Sequence, residues 1–164
     1  MNNPSEYILD HVFDAPRDLV WRSWTDPELV KEWYGPGIET IIHGFDLKPG
    51  GAWLNEMKWG GKSDFSKMTF QEVLAREKLV WHHCSTDQDW NVQSNQMMPD
   101  WPRTLLTTVT FTADGDKTNV RLSQVPIDAT DAEIACFTNM MAGMGKGWGS
   151  GFAIIEKILT EMEK

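Results

Sequence analysis

The sequence predicts an α+β fold: a strand, two short helices, about six antiparallel strands, and a long amphipathic helix at the C-terminal end. Three observations carry this. Between Ile38 and Val125, β-rich runs alternate with Gly, Pro and Asp punctuation at spacings too short for crossover helices, which favours an antiparallel meander. From Ile134 to Met162 the apolar residues step by three or four, the period of one face of a long helix or of two collinear helices. The 164 residues, 41% apolar and 24% charged, suit one globular domain spanning 1–164.

Glu6–Asp14 is rich in β-branched and aromatic types and reads as the first strand. Asp14 is a candidate cap for the helix that follows, with Pro16 near its first position. Leu19, Val20, Trp21 and Trp24 form that helix's stripe. Asp26-Pro27 opens a second short helix that turns Leu29, Val30 and Trp33 inward, and Gly35-Pro36-Gly37 ends it. The strands expected next are Ile38–Leu47, Ala52–Trp59, Lys67–Ala75, Lys78–Ser85, Thr104–Thr112 and Asn119–Val125. Asp114-Gly115-Asp116 is a hairpin signal between the last two.

The polar segment Thr86–Arg103, with Trp90, Met97, Met98 and Trp101, is too long for a simple connection and is a candidate lid or association surface. Two exposed tryptophans there, Trp90 and Trp101, would point to a homodimer. Thr130 with Glu133 makes a capping signature for the terminal helix. Gly143, Gly145, Gly147, Gly149 and Gly151 each cost about 1 kcal/mol against Ala in a helix interior, which predicts a kink or break near Met144–Trp148. A curled sheet with this helix across its concave face, and the short helices plugging one end, satisfies the order.

Charge and composition exclude several functions. With 15 Lys and Arg against 24 Asp and Glu, net −9, the chain lacks the cationic surplus that holds a phosphate backbone, so nucleic acid is a poor partner. No apolar run approaches the roughly 18 residues that span a bilayer. The polar N-terminus resembles no secretory signal, which predicts a cytoplasmic protein. Cys84 and Cys136 make no disulfide framework. Neither a G-x-S-x-G nor a C-x-x-C occurs, and the glycine run follows a helix pattern rather than a strand, so no cofactor is expected. His82 and Cys84 share one strand face while His83 points the other way; two ligands do not make a metal site.

The combination of 9 Trp and 9 Met is unusual. Trp lines apolar pockets and Met fills irregular gaps, so the interior is either hollow or a tryptophan-rich solid core. Alternation along the strands places Trp53, Met57 and Trp59 on one inward face, Phe70 with Glu72 on another, and Trp81 with His83 on a third. Met141, Met144, Trp148 and Phe152 face them from the helix. These eleven are the candidate lining of a cavity for a hydrophobic small molecule, the alternative being plain core contacts. His83 is then either a polar handle in the cavity or a surface histidine. Glu72 is either a buried acid with a raised pKa, or a carboxylate that sits at a strand edge in water or pairs with Arg76.

Taken together, Phe13–Pro36 (FDAPRDLVWRSWTDPELVKEWYGP), Asp46–Trp53 (DLKPGGAW), Phe70–Trp81 (FQEVLAREKLVW), Leu106–Leu122 (LTTVTFTADGDKTNVRL) and Gly145–Leu159 (GKGWGSGFAIIEKIL) cover nearly the whole chain. They resemble the START-like (SRPBCC) superfamily with its helix-grip fold, in the branch homologous to the heat-shock protein 90 ATPase activator. That resemblance implies a deep apolar cavity between sheet and terminal helix, and lipid-like or polyketide-like ligands in distant relatives. It transfers no catalytic residue. A cyclase- or dehydratase-like enzyme using Glu72 or His83 is an alternative, and stimulation of a chaperone ATPase is implied by the family name alone.

Overall fold

In the computed structural model, residues 6–95 and 98–162 are described; Met97 lies outside them. Seven strands form one antiparallel sheet: β1 (Tyr7–Phe13), β2 (Glu39–Phe45), β3 (Ala52–Trp59), β4 (Lys62–Leu74), β5 (Lys78–Thr86), β6 (Thr104–Asp114) and β7 (Lys117–Pro126). Their spatial order is β1-β7-β6-β5-β4-β3-β2, so β2 to β7 are a continuous meander and β1 closes beside β7. The helices are α1 (Arg17–Thr25), α2 (Pro27–Trp33), α3 (Asp131–Asn139) and α4 (Met141–Met162). This is the α+β helix-grip arrangement expected.

Local chemistry explains most boundaries. Asp26 caps α2 by accepting from the Glu28 N–H at 3.0 Å. Thr130 and Glu133 form a reciprocal capping box on α3, at 3.1 and 2.8 Å. Asp14 does not cap α1: Pro16 holds that position and no side chain bonds the first turn. β6 and β7 turn over Gly115-Asp116, with Asp114 opposite Lys117. β4 begins at Lys62, five residues before the expected Lys67. Its polar start lacks apolar alternation, but Gly60 and Gly61, with φ of 56° and 79°, make a tight turn that pairs Lys62 directly with Trp59.

The core lies between the sheet's inner face and the helices. Phe13, Trp53, Met68, Phe70, Leu79, Trp81, Leu105, Val109, Phe111, Val120 and Leu122 supply the sheet side. Val20, Trp24, Val30, Trp33, Phe137, Phe152, Ile155 and Leu159 supply the helix side. The break in the terminal helix falls at Met140, between α3 and α4, rather than near Met144–Trp148. The glycine run stays helical because α4 is docked at Gly151, Phe152, Ile155, Ile158 and Leu159, all buried, and that packing outweighs propensity. Before Gly151 the same helix has no buried residue, so its glycine-rich half overhangs the sheet.

The 87–95 and 98–103 stretches are packed on the domain. Thr86 bridges to Val92, and the Trp90 carbonyl accepts from Lys67 Nζ at 3.1 Å. Trp90 lies edge-on to His43 and Phe65, and Trp101 packs against Phe137. Both tryptophans are half-buried, not exposed.

Candidate functional site

Beneath the overhanging half of α4 lies a pocket of about 240 Å³. The end of α2 and the turn after it supply Trp33, Tyr34, Gly35 and Pro36. Met57 enters from β3, His83 from β5, Leu105 from β6 and Gln124 from β7. Met144, Gly147, Trp148 and Gly151 of α4 form the roof, and Trp101 closes one side.

The strand register explains this convergence. Residues opposite each other in an antiparallel sheet share a face. Met68 stands opposite His83, and His83 opposite Leu105. One row on, Trp81 is opposite Thr107, and Thr107 opposite Gln124. A polar band therefore crosses an otherwise apolar floor. Gln124 Nε2 donates to Thr107 Oγ1 at 3.1 Å, and Trp53 Nε1 donates to Asn55 Oδ1 at 3.2 Å. His83 Nδ1, Trp81 Nε1, Asn55 Nδ2 and Tyr7 Oη are enclosed without a hydrogen-bond partner.

Aromatic rings build the wall. Trp148 stacks on Trp24 at 6.2 Å and 14°, and meets the Tyr34 ring edge-on at 5.9 Å. Tyr34 in turn packs edge-on to Trp53 at 4.9 Å. Trp33 is locked by its own Nε1, which donates to the Ser23 carbonyl at 2.8 Å.

Electrostatically the pocket is neutral. Burial pulls the His83 imidazole down to about 4, so it is uncharged near neutral pH. Burial, and then the Asp64 carboxylate, push the Tyr34 phenol well above its ordinary range. Asp64 is itself raised by burial. Among the described residues no Lys, Arg, Asp or Glu lines the pocket. Such a site can orient a ligand by hydrogen bonds and ring contacts, not by ion pairing.

The expected lining residues separate into three groups. Met57, His83, Met144 and Trp148 line the pocket. Trp53, Phe70, Trp81 and Phe152 are solid core behind it, each 1–2% exposed, and Met141 packs against that core. Trp59 and Glu72 are elsewhere. Trp59 sits at the hairpin tip, 36% exposed, where β3 has outrun the helices that cover it. Glu72 follows a bulge between Phe70 and Glu72 that breaks simple alternation. Its side chain is 41% exposed and pairs with Lys78 at 3.2 Å, while Arg76 reaches Asp18 instead.

Sequence reasoning missed Tyr34, Trp101, Leu105 and Gln124. For Gln124 a signal existed: it continues the inward face of Val120 and Leu122, a polar group in an apolar row. His82 and Cys84 point away from the pocket, and Cys84 Sγ lies 3.3 Å from Thr104 Oγ1. Among the described residues no three His, Cys, Asp or Glu side chains gather as a metal site would need. A larger cleft of about 720 Å³, between the start of β4, the end of β5 and the 87–95 loop, is lined by Lys62, Asp64, Asp87, Asp89 and uncharged polar groups, with Phe65 its one apolar side chain among the described residues.

Residues 14–160 match the family described as "Activator of Hsp90 ATPase homolog 1-like protein". No functionally curated protein matches the chain. Among solved structures, protein Ms6760 from Mycobacterium smegmatis superposes with a TM-score of 0.79 at 20% identity, over 95% of this chain and 91% of that one. A protein from Arthrobacter aurescens gives 0.81 at 18% identity, over 96% and 87%. DynU16, from the dynemicin biosynthetic locus, gives 0.66 at 17% identity, over 94% of this chain and 47% of its own. At these identities the likeness is one of fold.

Proposed function

We propose that this chain, which belongs to the Activator of Hsp90 ATPase homolog 1-like family, binds an apolar or aromatic small molecule, lipid-like or polyketide-like, in the pocket between sheet and α4. The observation that carries this reading is the pocket itself: about 240 Å³ walled by indoles, thioethers and one uncharged imidazole, beneath a helix whose glycines leave room. Ligand pockets combine apolar walls with a few placed polar groups, and this composition fits.

The enzymatic alternative loses Glu72, which is ion-paired on the surface, and keeps only His83 and Tyr34 as groups in contact with a ligand. Chaperone-ATPase stimulation rests on the family description alone. The test is native mass spectrometry on protein purified without denaturation, followed by calorimetry against a panel of small aromatic and terpenoid compounds. A co-purified small molecule, or saturable one-to-one binding from the panel, is expected. An empty protein that binds nothing in the panel would refute the proposal.

A further inference from the structure

We infer that the pocket takes a neutral aromatic alcohol of one or two fused rings and rejects anionic ligands such as fatty or aromatic acids; this rests on the pocket being the binding site. Size comes first. An apolar cavity of about 150 Å³ holds one benzene ring, so about 240 Å³ has room for one or two fused rings.

Charge comes second. The lining offers no cation, so a carboxylate would be desolvated without a partner, which is strongly unfavourable. An acidic neighbour acts on the lining: the Asp64 carboxylate couples electrostatically to Tyr34, which lines the pocket. An anion there meets like charge as well as desolvation.

Polarity comes third. His83 Nδ1 is enclosed and unpartnered. His83 lines the pocket, so Nε2 is the less enclosed of its two ring nitrogens and the one a ligand would meet. A neutral imidazole offers either a donor or an acceptor at that position, according to tautomer. A hydroxyl both donates and accepts, and therefore satisfies either form. Trp148 and Tyr34, packed edge-to-face with ring centroids 5.9 Å apart, both line the pocket and supply aromatic surface for a ligand's rings.

The test is calorimetric titration of the full chain, near neutral pH, with three probes of one shape: 2-naphthol, naphthalene and 2-naphthoate. 2-Naphthol is expected to bind about three- to tenfold more tightly than naphthalene, the worth of one net hydrogen bond. 2-Naphthoate is expected to bind at least about tenfold more weakly than naphthalene. His83→Leu should abolish the preference for 2-naphthol, so that 2-naphthol and naphthalene bind the variant with equal affinity. The ranking of the three probes on the wild-type chain stands as a test even if that variant does not fold. Naphthoate binding as tightly as naphthol would overturn the inference and leave the pocket reading intact, as would an undiminished naphthol preference in a folded His83→Leu. Failure of all three probes to bind, with a natively purified protein that is also empty, would overturn the pocket reading and the inference with it.

Discussion

Alanine at Gly149 and alanine at Gly151 should move stability in opposite directions, although both replace glycine by the best helix former in one helix. A Cβ at Gly149 meets nothing within 4 Å, so Gly149→Ala gains the helix-propensity difference of about 1 kcal/mol. A Cβ at Gly151 meets the Trp33 carbonyl oxygen at 3.0 Å and Trp33 Cε3 at 3.2 Å. Neither neighbour can yield easily. The oxygen is backbone, and the indole is 1% exposed and held by its bond to Ser23. Overpacking of this kind costs about 1–3 kcal/mol, which exceeds the propensity gain and leaves a net loss of about 1 kcal/mol. The two variants should therefore differ by about 2 kcal/mol, or roughly 4–8 °C in Tm for a chain of this length. Urea unfolding with a shared slope measures the difference directly. Equal stabilisation by both substitutions would show that Trp33 moves aside, and that the close approach of α2 and α4 does not set the shape of the pocket.

Two further outcomes follow from the polar band. Because the folded-state pKa of His83 lies at about 4 against an ordinary 6.5, the folded chain binds fewer protons than the unfolded one between those values. Stability should thus be unaffected by this group above 6.5 and fall as pH drops towards 4, by at most about 3 kcal/mol. His83→Leu should remove that part of the profile; parallel wild-type and variant profiles in urea titrations across this range would contradict it. Thr107→Val leaves the buried Gln124 amide without its acceptor and should cost about 1–3 kcal/mol. Adding Gln124→Leu should recover part of that loss, and strictly additive single-variant losses would refute the coupling.

The sequence revealed most where structure follows from adjacent residues. The Asp26 and Thr130 caps, the turn at Gly115, and the order of strands and helices all rest on local chemistry, and all stand in the fold. Its failures share a cause. Alternation assumes an uninterrupted strand covered along its length. The bulge before Glu72 and the uncovered tip at Trp59 break those two assumptions. The five glycines predicted a broken helix because propensity is local, whereas the docking of Phe152 and Ile155 is not. The pocket was half legible. Met57, His83, Met144 and Trp148 come from regular elements with readable faces. Tyr34 and Trp101 come from a turn and a long loop, whose side-chain directions have no period to read.

The account is tested most directly by the methyl groups already in place around the pocket. Of the nine methionines, Met57 and Met144 line it, Met140 is exposed, and Met162 lies at the far end of α4. With 13C-methyl methionine and a titration of 2-naphthol, the account predicts saturable ring-current shifts at Met57 and Met144, with Met140 and Met162 unmoved. Shifts confined to Met140 or Met162, or no shift at Met57 and Met144 once naphthol is saturating, would contradict it.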